Sequence, residues 1–91
     1  MPALFIRHKV TEYATWKSHF DELAATRRAH GCQGSRLFRN ADDPNETLIF
    51  LAWDDLDRAR LFAQSDDLRD AFRQPTVLDE PDIWLIEEYQ S

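Results

Sequence analysis

The chain predicts an α+β domain of βαββαβ order, with one four-stranded antiparallel sheet, two helices on one face, and a second copy packed on the other. Three observations carry this. Strand-type and helix-type hydrophobic periods succeed one another in that order. Gly, Pro and clusters of Asp and Asn fall at the joints between them. The third and fourth strands are apolar on both faces, although two helices cover only one face of a sheet.

Ala3 to Val10 reads as the first strand, with Leu4, Ile6, His8 and Val10 on one face and Phe5, Arg7 and Lys9 on the other. Thr11 is placed to cap the helix that follows. In that helix Tyr13, Trp16, Phe20, Leu23 and Ala24 recur at helical spacing and form one apolar stripe. Arg27, Arg28 and His30 crowd its last turn, where positive charge meets the helix dipole favourably. Gly31 supplies a left-handed stop.

Cys32 to Asn40 is the second strand, diluted by Gly34, Ser35 and Arg36. Residues 40–45, Asn-Ala-Asp-Asp-Pro-Asn, are dense in turn formers and predict a longish hairpin loop. Glu46 to Trp53 follows as the most apolar strand. Asp54, Asp55 and Asp57 open the second helix, whose inward positions are Leu56, Ala59 and Phe62. The capping signal restarts at Ser65-Asp66-Asp67-Leu68, so this helix is expected to be kinked or broken before Pro75. Residues 75–81 read as loop, and Asp82 to Tyr89 as the fourth strand. Right-handed crossovers close this order into a ferredoxin-like sheet.

The 91 residues suffice for a single domain, taken to span the whole chain, 1–91. Hydrophobic residues at 43% and charged residues at 31% are ordinary globular composition. No apolar run approaches the roughly 18 residues of a spanning helix, and no signal peptide is visible, so a soluble, cytoplasmic protein is expected. The lone Cys32 cannot form an internal disulfide and fits a reducing compartment. A formal charge of −6 argues against nucleic acid and anionic membranes as partners.

Association with a second copy follows from strands three and four. Leu48, Phe50 and Ala52 oppose Ile49, Leu51 and Trp53, and Ile83 and Leu85 oppose Trp84 and Ile86. Each large side chain left in water forfeits about 1.5–3 kcal/mol of burial. A two-fold homodimer that stacks the open faces recovers it.

The chain resembles the dimeric α+β barrel superfamily, in its antibiotic-biosynthesis-monooxygenase-like branch. The matching stretches are Arg7-His8-Lys9-Val10 with Tyr13 and Trp16, and Leu37-Phe38-Arg39-Asn40 with Asp43-Pro44-Asn45-Glu46. The best match is Phe50-Leu51-Ala52-Trp53-Asp54-Asp55-Leu56 with Phe62-Ala63-Gln64-Ser65 and Leu68 beyond. The resemblance covers nearly the whole chain and implies a pocket between sheet and helices in each protomer. Haem-degrading members carry their site on a strand-one Asn, a helix-two Trp and a later His. His8, Phe62 and Phe72 stand at those positions here, and without the axial His haem degradation is disfavoured. The quinone-forming oxygenases surround an oxygen-activating substrate with Asn, Trp, Tyr and Arg.

His8 is the candidate catalytic residue, a general base if its imidazole is neutral and desolvated; a buried histidine held by a hydrogen bond is the structural alternative. Tyr13, Trp16, Phe50, Trp53, Phe62 and Phe72 are candidate substrate-binding residues, with core packing as the competing role. Arg36 is the candidate partner for an anionic group, against a salt bridge at the sheet rim. No metal-ligand spacing is complete, so no metal and no cofactor are expected. The functional expectation is a cofactor-independent monooxygenase-like enzyme acting on a small aromatic or polyketide-like compound. The alternative is a non-catalytic small-ligand-binding or stress-response protein holding a small apolar ligand in the same pocket.

Overall fold

A computed structural model of the protein describes residues 1–89. Its elements run β1 (Pro2–Lys9), α1 (Tyr13–Glu22), α2 (Ala24–His30), β2 (Cys32–Asn40), β3 (Asp43–Trp53), α3 (Leu56–Ala63), α4 (Asp66–Phe72) and β4 (Asp82–Glu87). The strands form one antiparallel sheet in the order β2-β3-β1-β4. Each crossover is a pair of short helices, which preserves the βαββαβ order and the α+β ferredoxin-like class.

The sheet's two faces have different fates. Leu4, Ile6, Ile49, Leu51 and Trp53 turn inward and form one core with Trp16, Ala59, Phe62 and Leu68 from the helices. Burying such residues is worth about 1.5–3 kcal/mol each, which is what holds the helices on this face. Strand alternation sends Phe5, Leu48, Phe50, Trp84 and Ile86 to the opposite face. There Phe5 and Trp84 touch, with ring centroids 5.8 Å apart, and Trp84 stays 47% exposed.

Three local readings are corrected. Thr11 does not cap α1: the cap is Glu12, without a side-chain bond. The Thr11 amide donates to the Thr76 carbonyl at 2.8 Å, beside a Val10–Val77 bridge, so the chain is still extended there. The first helix is interrupted at Leu23, whose φ of −90° and ψ of 5° separate α1 from α2. The hairpin is also tighter than composition suggested, because Asn40 pairs with Asp43. Its turn formers bond locally instead of lengthening the loop: the Asn40 side chain accepts the Asp42 amide, and the Asp43 carboxylate accepts the Asn45 amide.

β4 ends at Glu87, two residues short of the expected Tyr89, and β1 runs one residue earlier than expected, whereas the remaining helix ends match their signals. Gly31 ends α2 at φ 110°, the left-handed conformation that glycine adopts without a Cβ penalty. Asp55 caps α3 and Ser65 caps α4, where the Leu68 amide donates to the Ser65 hydroxyl at 3.2 Å. This second cap divides the second crossover into two helices. Among the described residues, no helix is long and apolar enough to cross a membrane.

Candidate functional site

A cavity of about 210 Å³ lies between the inner face of the sheet and the helices. Ile6, Ile49 and Leu51 form its floor; Trp16 and Phe20 of α1, with Leu68 and Phe72 of α4, form its walls. This is the space left where two pairs of short helices cross a sheet without filling it.

His8 is the one titratable side chain that β1 sends into this floor, and it is 1% exposed. The register sets Thr47 of β3 directly opposite it. The Thr47 hydroxyl lies 2.6 Å from His8 Nδ1 and 3.1 Å from the His8 carbonyl oxygen. A hydroxyl has one proton to give. When it goes to the carbonyl, Oγ1 accepts the Nδ1–H, and the lone pair is left on Nε2. The side-chain hydrogen bond of the His8 ring among the described residues is the one through Nδ1. Trp16 and Phe72 meet the imidazole edge-on, at 5.3 and 5.5 Å between centroids, and lock the ring plane. Burial pushes the His8 pKa below its ordinary 6.5; its backbone hydrogen bond and Asp79 offset part of this, and Arg7 adds to it. The imidazole is therefore neutral at neutral pH, as a proton acceptor must be.

Of the expected site residues, the structure brings His8, Trp16, Phe62 and Phe72 together on the cavity wall. Tyr13 stands behind that wall, 5.8 Å from the Trp16 ring and covered by the Arg39 guanidinium at 4.2 Å. Trp53 is fully buried against Phe62, at 5.3 Å, as core rather than lining. Arg36 and Phe50 are register partners on the outer face, across the sheet from the cavity. Arg36 lies near Phe38 there, 5.2 Å from the ring centroid, so the anion-pairing position expected of it is not in the cavity.

The sequence reading missed Thr47, Thr76 and Arg27. Thr47 is 39 positions from His8 and is reachable only through strand register. Thr76 lines the cavity with its hydroxyl buried and without a partner among the described residues. Arg27 is 9% exposed, donates from Nη1 to the Phe20 carbonyl at 2.8 Å, and stacks its guanidinium 3.7 Å over the Phe20 ring. Burial lowers its pKa, with Cys32 and Asp21 acting the other way, but an arginine keeps its charge. A signal for Arg27 did exist: it continues the helical series Trp16, Phe20, Leu23 at the next inward position. Among the described residues, no group of three His, Cys, Asp or Glu could hold a metal ion.

A family model described as antibiotic biosynthesis monooxygenase matches residues 5–74. The fold is also found in solved structures. An antibiotic biosynthesis monooxygenase-type protein from Bordetella bronchiseptica is 18% identical, with a TM-score of 0.80 over 98% of this chain and 97% of that one. SnoaB, a cofactor-independent oxygenase from Streptomyces nogalater, is 21% identical, with a TM-score of 0.78 over 99% and 94%. A conserved protein from Methanosarcina mazei Go1 is 13% identical, with a TM-score of 0.75 over 97% and 92%. At these identities the structural likeness is one of fold. No curated protein matches the sequence.

Proposed function

The chain belongs to the antibiotic biosynthesis monooxygenase family, and on that premise we propose that it is a cofactor-independent monooxygenase-like enzyme acting on a small aromatic compound. The observation that carries this is His8: a buried imidazole, held at Nδ1 by Thr47, kept neutral by burial, on the wall of an apolar cavity.

Oxygen chemistry without a metal or flavin needs an electron-rich carbanion or phenolate. His8 Nε2 removes the proton from a hydroxyarene, and the apolar walls keep water from returning it. The anion donates electrons to O2, a C–O bond forms, and the resulting hydroperoxide loses water to leave a quinone. One hydroxyarene and one O2 thus give one quinone and one water. Trp16 and Phe72 orient the ring of the substrate, and the same contacts hold the base. The working assembly is a homodimer stacked through the outer face of the sheet, where Phe5 and Phe50 are half-buried and Trp84 and Ile86 are exposed.

The test is O2 uptake and quinone absorbance over a panel of small hydroxyarenes, with ligand affinity measured in parallel. His8→Ala should lower turnover by about 10²–10⁴-fold, the usual worth of a general base, and leave affinity nearly unchanged. One oxygen atom of ¹⁸O2 should enter the product and the other should leave as water. A wild-type protein that binds these compounds and consumes no O2 refutes the enzymatic reading and supports the non-catalytic ligand-binding one.

A further inference from the structure

We propose that Arg27 makes the cavity selective for a small aromatic acid of one or two rings, with its guanidinium receiving the ligand's carboxylate. This rests on the reading of the cavity as a ligand site and adds the ligand's charge and size.

A buried charge is ordinarily paired, because leaving it unpaired in a low-dielectric site is costly. Arg27 breaks that pattern: none of the ion pairs among the described residues includes it, and the carboxylate that acts on it from a distance, Asp21, is bonded to Lys17 at 2.6 Å. A guanidinium carries five N–H donors. Its one hydrogen bond among the described residues uses Nη1, to the Phe20 carbonyl at the end of α1. The stack on Phe20 fixes the plane of the fork. The remaining donors belong to a side chain that lines the cavity. A planar fork with donors to spare is the geometry that receives a carboxylate bidentately.

The cavity also says where the rest of the ligand lies. Trp16 lies 5.3 Å from His8 on one side and 5.3 Å from Phe20 on the other, and Arg27 covers Phe20. A continuous aromatic wall therefore runs from the base to the cation. A flat ring laid along it presents its acidic proton toward His8 and its carboxylate toward Arg27. Size follows from volume. An apolar cavity of about 150 Å³ takes benzene, so about 210 Å³ suits a one- or two-ring compound.

Two carboxylates, Glu22 and Asp67, also border the cavity, and both are exposed. Asp67 accepts from or pairs with His30 at 2.8 Å, and Glu22 lies 3.9 Å from His19. Water and salt screen charges at this rim far more than the buried guanidinium. They slow the approach of an anion without cancelling its partner inside.

Titration calorimetry with 2-naphthoate and its neutral isostere 2-naphthamide tests the inference. The wild type should prefer the carboxylate by about 10-fold or more, the worth of a charge-assisted hydrogen bond. Arg27→Met should bring that ratio close to one; Arg27→Gln replaces it if circular dichroism shows that Arg27→Met does not fold. Affinity for 2-naphthoate should hold or rise with salt, because only the rim is screened. Equal binding of the two probes by the wild type, an unchanged ratio in the folded variant, or a steep loss of affinity with salt would overturn the role of Arg27 and leave the cavity as a ligand site. Binding of neither probe would overturn both readings together.

Discussion

Thr47→Val isolates the interaction on which His8 depends. Valine keeps the shape of threonine and removes one hydroxyl, which in the native protein spans His8 Nδ1 at 2.6 Å and the His8 carbonyl at 3.1 Å. Both residues are essentially without solvent contact, so no water replaces the missing oxygen. The cost is that of a buried donor left unsatisfied, about 1–3 kcal/mol. For a domain of this size each kcal/mol lowers Tm by roughly 4–8 °C. Urea and thermal unfolding at pH 8 and one fixed protein concentration would read it. A double-mutant cycle sharpens the test. With His8→Phe the buried nitrogen disappears as well, and replacing both partners by apolar groups can be nearly neutral. The double variant should therefore be less destabilised than the two single losses combined. A loss below about 0.5 kcal/mol in Thr47→Val, or strict additivity in the cycle, would refute the assignment of Thr47 as the group that holds the imidazole.

His8 also sets a pH dependence. Its pKa is lowered in the folded state, so between that value and its ordinary 6.5 only the unfolded chain binds the proton. Its contribution is complete above pH 6.5 and is lost as pH falls through the folded value; urea midpoints should decline over that window in the wild type and flatten in His8→Phe. On the outer face, Trp84→Glu should shift sedimentation velocity profiles toward monomer. A two-fold interface feels the change twice, so a loss of about 1.5 kcal/mol or more per site weakens association about 100-fold or more, and an unaltered dimer would refute that face as the interface. Gly31→Ala forces a Cβ into φ 110° and within 2.7 Å of the Arg58 guanidinium carbon. The arginine tip can move but the backbone cannot, so a loss of about 1–2 kcal/mol is expected in chemical denaturation. Ser65→Ala should cost about 0.5–2 kcal/mol by the same measurement, because the Leu68 amide loses its capping acceptor.

Much of this molecule was legible in the residue order, for reasons of short range. Alternation in β1 placed Leu4, Ile6 and His8 on one face, and burial of all three agrees. Gly31, Asp55 and Ser65 mark helix ends because capping and left-handed conformations are settled within four residues. The split of the second crossover follows from the Ser65 signal alone. His8 was recognisable as the candidate base because a lone imidazole among apolar neighbours is conspicuous in a strand. The tight hairpin at Asn40 and the break at Leu23 were not legible. The first depends on cross-strand pairing with Asp43, and the second on a backbone turn at Leu23 that no Gly, Pro or capping residue marks in the sequence.

Periodicity alone determined the βαββαβ order, the inward face of β1 and the two-sided apolar character of β3 and β4, since each is a pattern within one element. Only the tertiary structure decided which aromatic residues meet. Strand register assigned Phe50 and Arg36 to the outer face, joined Thr47 to His8 across 39 positions, and buried Trp53 as core. Helix packing made Arg27, which continues the inward series of Trp16, Phe20 and Leu23 but also reads as a dipole-complementing charge, a buried cation on the cavity wall. The physical reason is that a one-residue step along a strand reverses a side chain's face, and that which helix positions meet a core or a cavity depends on what packs opposite them. Composition carries neither piece of information; both are settled only when the elements pack against one another.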